Sequence, residues 1–162
     1  MTTIKSQIPC HKIITGGQTG VDRGALDACL SLDFPCGGWC PANRIAEDGR
    51  IENKYPLKET NEKEYHFRTR KNVNVSDGTL IISSEKLTGG TLLTKKIAEE
   101  LNKPLLIISD SNSLQQILIW LQENKVNTLN IAGPRQSEWN MAYGLSYKIT
   151  SDIIKDIKNR SV

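Results

Sequence analysis

Apolar residues in this chain fall into two alternating patterns. Short, nearly continuous runs at 11–15 (HKIIT), 79–84 (TLIISS), 104–109 (PLLIIS) and 128–132 (TLNIA) have the length and β-branched content of strands covered on both faces. Between them, apolar positions recur every three or four residues: Ala25, Leu26, Cys29 and Leu30, then Leu92, Leu93, Ile97, Ala98 and Leu101, then the run 114–121 (LQQILIWL). Met141, Leu145, Ile149, Ile153 and Ile157 continue the pattern near the end of the chain. This period predicts helices, the third opened by Ser113 as N-cap. A further helix is expected over 62–76 (EKEYHFRTRKNVNVS), and residues 33–39 (DFPCGGW) read as a short strand ending the first β-α-β unit. Strands alternating with helices predict a single α/β domain over 1–162, built on a parallel sheet with right-handed crossovers.

Three polar turns follow strands in this pattern, and each carries glycine: 16–20 (GGQTG), 88–91 (TGGT) and 133–137 (GPRQS). Ligands of open parallel sheets bind outside the carboxyl ends of the strands, so the three turns are expected to share one edge and one anionic-ligand site. In the first turn, Gly16, Gly17 and Gly20 permit positive φ and are expected to leave N–H groups uncovered at the positive end of a helix dipole, a phosphate-binding geometry. The spacing GGxxGxxxG lacks the Lys-Ser/Thr ending of a nucleotide-hydrolase loop and differs from the GxGxxG dinucleotide fingerprint. Asp22 and Arg23 at the helix start either cap free N–H groups or hold a ribose hydroxyl and a phosphate. The expected ligand- and phosphate-binding set is Gly16, Gly17, Gln18, Thr19, Gly20, Asp22 and Arg23 from the first turn and Thr88, Gly89, Gly90 and Thr91 from the second. Gly133, Pro134, Arg135 and Ser137 complete it from the third.

Residues 41–60 (PANRIAEDGRIENKYPLKET) show no period and read as a binding loop or lid pinned by Tyr55, Pro56 and Leu57, or else as a solvated connector. The helix over 62–76 carries Arg68 and Arg70, which at i and i+2 cannot share a face, so only one of them points to a ligand.

The length of 162 residues suits one domain with a sizeable core. Twenty-one Lys and Arg against eighteen Asp and Glu leave a net charge of +3, a weak preference for anionic ligands. With no basic, aromatic-laced stripe, a nucleic-acid partner is disfavoured. No apolar segment approaches the ~18 residues of a membrane span and the first ten residues lack a signal-peptide core, so the expectation is a cytoplasmic protein with no membrane partner. Cys10, Cys29, Cys36 and Cys40 lack finger-like spacing and are expected as buried thiols rather than a metal site, and His66 as a surface or core-edge residue.

Taken in order, GGQTGVDRGALDA, AEDG, YPL, RTRKNV, SDGTLI, TGGT and AGPRQS resemble the molybdenum cofactor carrier family, related to DNA-processing protein A and the LOG-type "lysine decarboxylase" proteins. The resemblance covers nearly the whole chain. It implies a Rossmann-like fold that binds the molybdenum cofactor (molybdopterin), another phosphorylated pterin, or a nucleotide monophosphate or dinucleotide, and a homo-oligomer, dimer or tetramer. LOG-type phosphoribohydrolases use an arginine and a glutamate, and Arg68, nine residues before Asp77, stands where their arginine lies. The loop TGGTLLT departs from the LOG pattern: Leu93 and Thr94 occupy the positions of its acidic pair. Without a carboxylate there, nothing in that loop can stabilise an oxocarbenium ion or activate water, which favours holding a ligand over hydrolysing it. The alternatives are an N-glycosidase or phosphohydrolase with Arg68 on phosphate and Glu47, Asp48 or Asp22 as base, and a sensor of nucleotide derivatives.

Overall fold

The computed structural model describes residues 6–84 and 86–161. In chain order the elements are β1 (Lys12–Ile14), α1 (Val21–Ser31), β2 (Cys36–Gly37), β3 (Trp39–Cys40), a 3-10 turn (Ala42–Arg44), β4 (Ile45–Ala46), β5 (Gly49–Arg50) and β6 (Lys58–Glu59). Then come α2 (Tyr65–Val75), β7 (Gly78–Ile82), α3 (Gly89–Glu100), β8 (Leu105–Ile108), α4 (Leu114–Glu123), β9 (Thr128–Ala132) and α5 (Ala142–Arg160).

Five strands form one parallel sheet in the order β2-β1-β9-β7-β8. Strand β9, last in sequence, lies at the centre, with Leu129 opposite Ile13 and Ile131 opposite Leu80. The central strands are covered on both faces because their side chains are almost wholly apolar. Val21, Ala25 and Cys29 of α1, Ile117, Leu118 and Leu121 of α4, and Ile149, Ile153 and Ile154 of α5 fill the larger core. On the other face α2 and α3 pack together around Val73, Ile97 and Ala98. This is a Rossmann-like α/β architecture. Chain direction away from β1 reverses between β2 on one side and β9–β7 on the other, so the crevice of this sheet opens where the turns after β1 and β9 and the start of α3 converge.

Several local expectations change. The strand expected over 33–39 is divided by Gly38, at φ 126°, into β2 at the sheet edge and β3 outside the sheet. Met141 lies just before α5 and is 57% exposed, while Ser146 and Thr150 take buried positions on that helix. The Ser113 side chain does not cap α4; its hydroxyl donates to Asp110 instead (3.2 Å).

Residues 41–60 are neither an open lid nor a solvated connector. They fold as a small second layer in which β3 pairs with β6 and β4 with β5 around Leu26, Cys40, Ala46, Ile51, Tyr55 and Leu57. The Arg44 side chain organises it. Buried, it donates to the carbonyls of Ile51 (3.0 Å), Glu52 (2.7 Å), Tyr55 (3.0 Å) and Leu57 (3.2 Å). One guanidinium thus replaces the strand ladder that these residues are too irregular to form. Arg44→Met should leave the Leu57 carbonyl without a donor among the described residues and strip a charged donor from those of Ile51, Glu52 and Tyr55, lowering stability by about 1–3 kcal/mol, the cost of a buried polar group left unsatisfied. Urea unfolding checks this; a change below about 0.5 kcal/mol, the usual scatter of a surface substitution, would contradict it.

Candidate functional site

The crevice holds a cavity of ≈ 250 Å³. Gln18 and Asp22 reach it from the first turn, Gly89, Gly90 and Thr91 from the start of α3, and Gly133, Pro134 and Arg135 from the turn after β9, with Arg68 projecting from α2. Tyr65, Thr69, Leu93, Thr94, Ala132 and Glu138 complete the walls.

The floor is an ion pair. Arg68 Nη1 donates to Asp22 Oδ2 at 3.1 Å, and the two side chains are 14% and 6% exposed. The same carboxylate oxygen accepts the Gln18 amide (3.2 Å). Burial pushes the Asp22 carboxyl above the ordinary carboxylate range, against the pull of the Arg68 guanidinium. Arg68 lies over the Tyr65 ring, 5.6 Å from its centroid. Its Nε is buried without a hydrogen-bond partner, and its Nη2 donates to no described residue. Beneath it a polar hollow of ≈ 20 Å³, bounded by Gly16, Thr69, Asn72 and Asn130, has room for one water.

The first turn is packed in part, although the Gly16 and Gly20 amides donate to no acceptor among the described residues. Five neighbouring amides are engaged: Gly17 donates to Thr15 Oγ1 (3.2 Å), Gln18 to Asp22, Thr19 to Gln18 Oε1 (3.0 Å), Val21 to the Pro134 carbonyl (3.2 Å) and Arg23 to the Gln18 carbonyl (3.0 Å). Side-chain acceptors take the Gly17, Gln18 and Thr19 amides and backbone carbonyls take those of Val21 and Arg23, so these five are not the expected uncovered N–H groups. Close approach explains the glycines instead. A Cβ on Gly16 would stand 1.4 Å from Arg68 Nη1, and one on Gly20, at φ 79°, would stand 2.5 Å from the Pro134 carbonyl oxygen.

At the start of α3 the reverse holds. The Thr88 side chain makes no cap, and the amides of Gly90 and Thr91 donate to no acceptor among the described residues. They face the cavity at the positive end of a twelve-residue helix.

The other expected site residues lie outside the cavity walls. Arg23 turns away, its guanidinium on Asp48 (2.9 and 3.2 Å) and on the Gly17 carbonyl (3.1 and 3.2 Å). Arg70 pairs with Glu100 on the surface (2.9 Å), so Arg68 is the arginine of α2 that faces the site. Gly17, at φ 80°, faces Leu57 and Ile51 of the second layer. Thr19 and Ser137 both donate their hydroxyls to Glu47, and Thr19 also accepts the Gln136 amide (3.1 Å). Glu47 thereby braces the first turn against the third. Partial desolvation works against its charge, but the donors Ser137 and Thr19 prevail and hold its carboxyl below the ordinary range. Glu47 and Asp48 are thus occupied by structural partners, whereas Asp22 and Glu138 are the carboxylates at the cavity.

Tyr65 and Thr69 were not among the expected site residues, yet 65, 68, 69 and 72 follow the helical spacing i, i+3, i+4, i+7. Choosing Arg68 as the inward side of α2 would have found them. Arg135 lines the rim, paired with Glu138 (3.0 Å) and more distantly with Glu47 (3.9 Å). Leu93 and Thr94 bring no charge to the cavity; Thr94 donates to the Gly90 carbonyl (2.9 Å). No group of three or more His, Cys, Asp or Glu residues among the described residues is arranged to hold a metal, and no described helix is long and apolar enough to cross a membrane.

Comparison with known proteins agrees with this architecture. The crystal structure of a "Putative molybdenum carrier protein" from Syntrophus aciditrophicus SB is 40% identical in sequence and superposes with a TM-score of 0.88, over 92% of this chain and 97% of that one. No curated protein matches the sequence. The profile of the circularly permutated YpsA SLOG family matches residues 13–154. The chain is therefore a member of the circularly permutated YpsA SLOG family.

Proposed function

We propose that this protein is a carrier that holds a small phosphorylated ligand, a molybdopterin-type pterin or a mononucleotide, in the crevice cavity. Arg68 carries this reading: a buried guanidinium with one nitrogen on Asp22 and two unspent, beside the open amides of Gly90 and Thr91. A phosphate placed between them gains charge-assisted hydrogen bonds from both sides. The Asp22 and Glu138 carboxylates suit the amino and N–H edges of a pterin or guanine, and Tyr65 offers a flat wall. Volume narrows the choice. At ≈ 250 Å³ the cavity lies just below the usual size of ligand sites, which suits one phosphate and one ring system better than a dinucleotide.

These residues fit the organic part of a molybdenum cofactor. None of the cavity walls carries a thiol or an imidazole, so molybdenum would travel as cargo on the dithiolene of the pterin and the chain would bind the phosphate and ring. The name of the Syntrophus relative, "Putative molybdenum carrier protein", supports the same reading. A binding role also agrees with Leu93 and Thr94, which leave the α3 wall without a carboxylate. The homo-oligomer that the family resemblance implies remains part of the proposal.

Arg68→Met should weaken binding of guanosine monophosphate or a pterin monophosphate about 10- to 100-fold, the scale of a lost charged hydrogen bond. Gly16→Ala should produce a similar loss while the protein stays folded, since its methyl group takes the space of the guanidinium. Calorimetric titration checks both; unchanged affinity in either folded variant would remove the Asp22–Arg68 floor from the site.

One observation favours a second reading as an N-glycosidase: a buried carboxyl with a raised pKa in a crevice is a common form of catalytic acid, and Asp22 is such a group. The carrier reading predicts no release of free base from adenosine or guanosine monophosphate on chromatography. Turnover that falls by about 10²-fold or more in Asp22→Asn would establish the enzyme instead.

A further inference from the structure

Away from the crevice, two unpaired cations meet at one aromatic ring. Trp39 of β3 lies half-buried beside α2, and the Asn72 side chain holds both of its backbone polar groups, accepting its amide (2.8 Å) and donating to its carbonyl (2.9 Å). Lys71, one residue before Asn72, stands with Nζ 3.6 Å from the centroid of the indole. Lys58, the register partner of Trp39 on β6, stands 5.8 Å from it. Both lysines are exposed, and neither forms an ion pair among the described residues. Glu59, next to Lys58, is committed to the Asn43 amide (2.7 Å). Phe67 and Val75, four residues before and after Lys71 on the same stripe of α2, are 42% and 51% exposed.

We propose that this face is a docking surface for an acidic segment of a partner protein, one that interleaves carboxylates with apolar side chains. Charge selects the occupant. Two ammonium groups gathered at one ring repel each other, and a carboxylate from outside, set between them, relieves that repulsion. The indole, Phe67 and Val75 supply the apolar part of the contact, the mixture of aromatic and aliphatic surface typical of interface centres.

Other occupants fit less well. A second copy of the chain, docked face to face about a two-fold axis, would set these ammonium groups against their own images. A nucleic acid calls for a longer basic track, and Arg70, the neighbouring cation of α2, is spent on Glu100. The position on the helix also matters. Tyr65, Arg68 and Thr69 turn one side of α2 to the crevice, while none of Trp39, Lys58, Phe67, Lys71 and Val75 lines the cavity. A docked segment therefore sits on the helix that supplies Arg68 and touches no cavity wall.

A fluorescein-labelled synthetic peptide of alternating glutamate and leucine, titrated against the intact protein, tests the surface. Fluorescence anisotropy should show saturable binding that weakens about tenfold or more when Lys58→Glu and Lys71→Glu are combined, and weakens likewise at high salt. The location is read on the unmodified chain. In a proton–nitrogen correlation spectrum the peptide should move the indole N–H signal of Trp39, assigned by its loss in Trp39→Phe, more than those of Trp120 and Trp139. No saturable binding, equal binding by a double variant that melts like the unmodified protein, or an unmoved Trp39 signal would each overturn the proposal. Tighter binding of an oligothymidylate than of the peptide would assign the face to nucleic acid instead. A dimer seen by sedimentation that the double variant loses would assign it to a second copy. The spectrum decides the matter even if the double variant fails to fold.

Discussion

The structure depends on one contact, the Arg68 guanidinium laid on the bare backbone of Gly16 and held there by Asp22. It joins three elements at once, because Gly16 follows β1, Asp22 opens α1 and Arg68 projects from α2. Burying such a pair is costly, and an apolar pair of similar size would in general be as stable or more so. Removing one partner alone typically costs about 3–5 kcal/mol, since the other charge is left buried. The pair is therefore poorly explained as a stabilising device. In the carrier proposed above it is a charge kept ready for an anion, with Asp22 as the counterion until one arrives.

Around that floor the chain arranges rigid supports. Arg44 fastens the 41–60 layer from within, and Glu47 in that layer binds both Thr19 and Ser137, so the first and third turns keep a fixed spacing. The start of α3 lines the cavity with unspent backbone donors, and its two glycines leave those donors uncovered. An anion at Gly90 and Thr91 would thus meet a wall that is already in place. Such preorganisation lowers the entropic cost of binding.

Much of this was legible in the sequence, for reasons that differ by element. The buried strands and amphipathic helices follow from period and β-branched content, and the convergence of three glycine turns follows from parallel topology. What the pattern could not show was how many amides of the first turn are taken from within. GGQTG looks more like a phosphate loop than TGGT does, but Thr15, Gln18 and Asp22 lie close enough in sequence to take the Gly17, Gln18 and Thr19 amides from within. Arg44 was illegible for a related reason. A charged residue in an unpatterned segment reads as solvated until the carbonyls that surround it are seen. Arg68 and Arg70 were separable only in part: their spacing says that one faces inward, and Glu100 on the neighbouring helix shows that it is not Arg70.

The central claim is that an anion binds between Arg68 and the start of α3 and not on the first glycine turn. A crystal structure of this chain with guanosine monophosphate or a pterin monophosphate tests it most directly. The account predicts phosphate oxygens within hydrogen-bonding distance of the Gly90 and Thr91 amides and of the Arg68 guanidinium, with the ring toward Tyr65 and Glu138. A phosphate seated on the amides of residues 16–20, with Arg68 still bound only to Asp22, would contradict it.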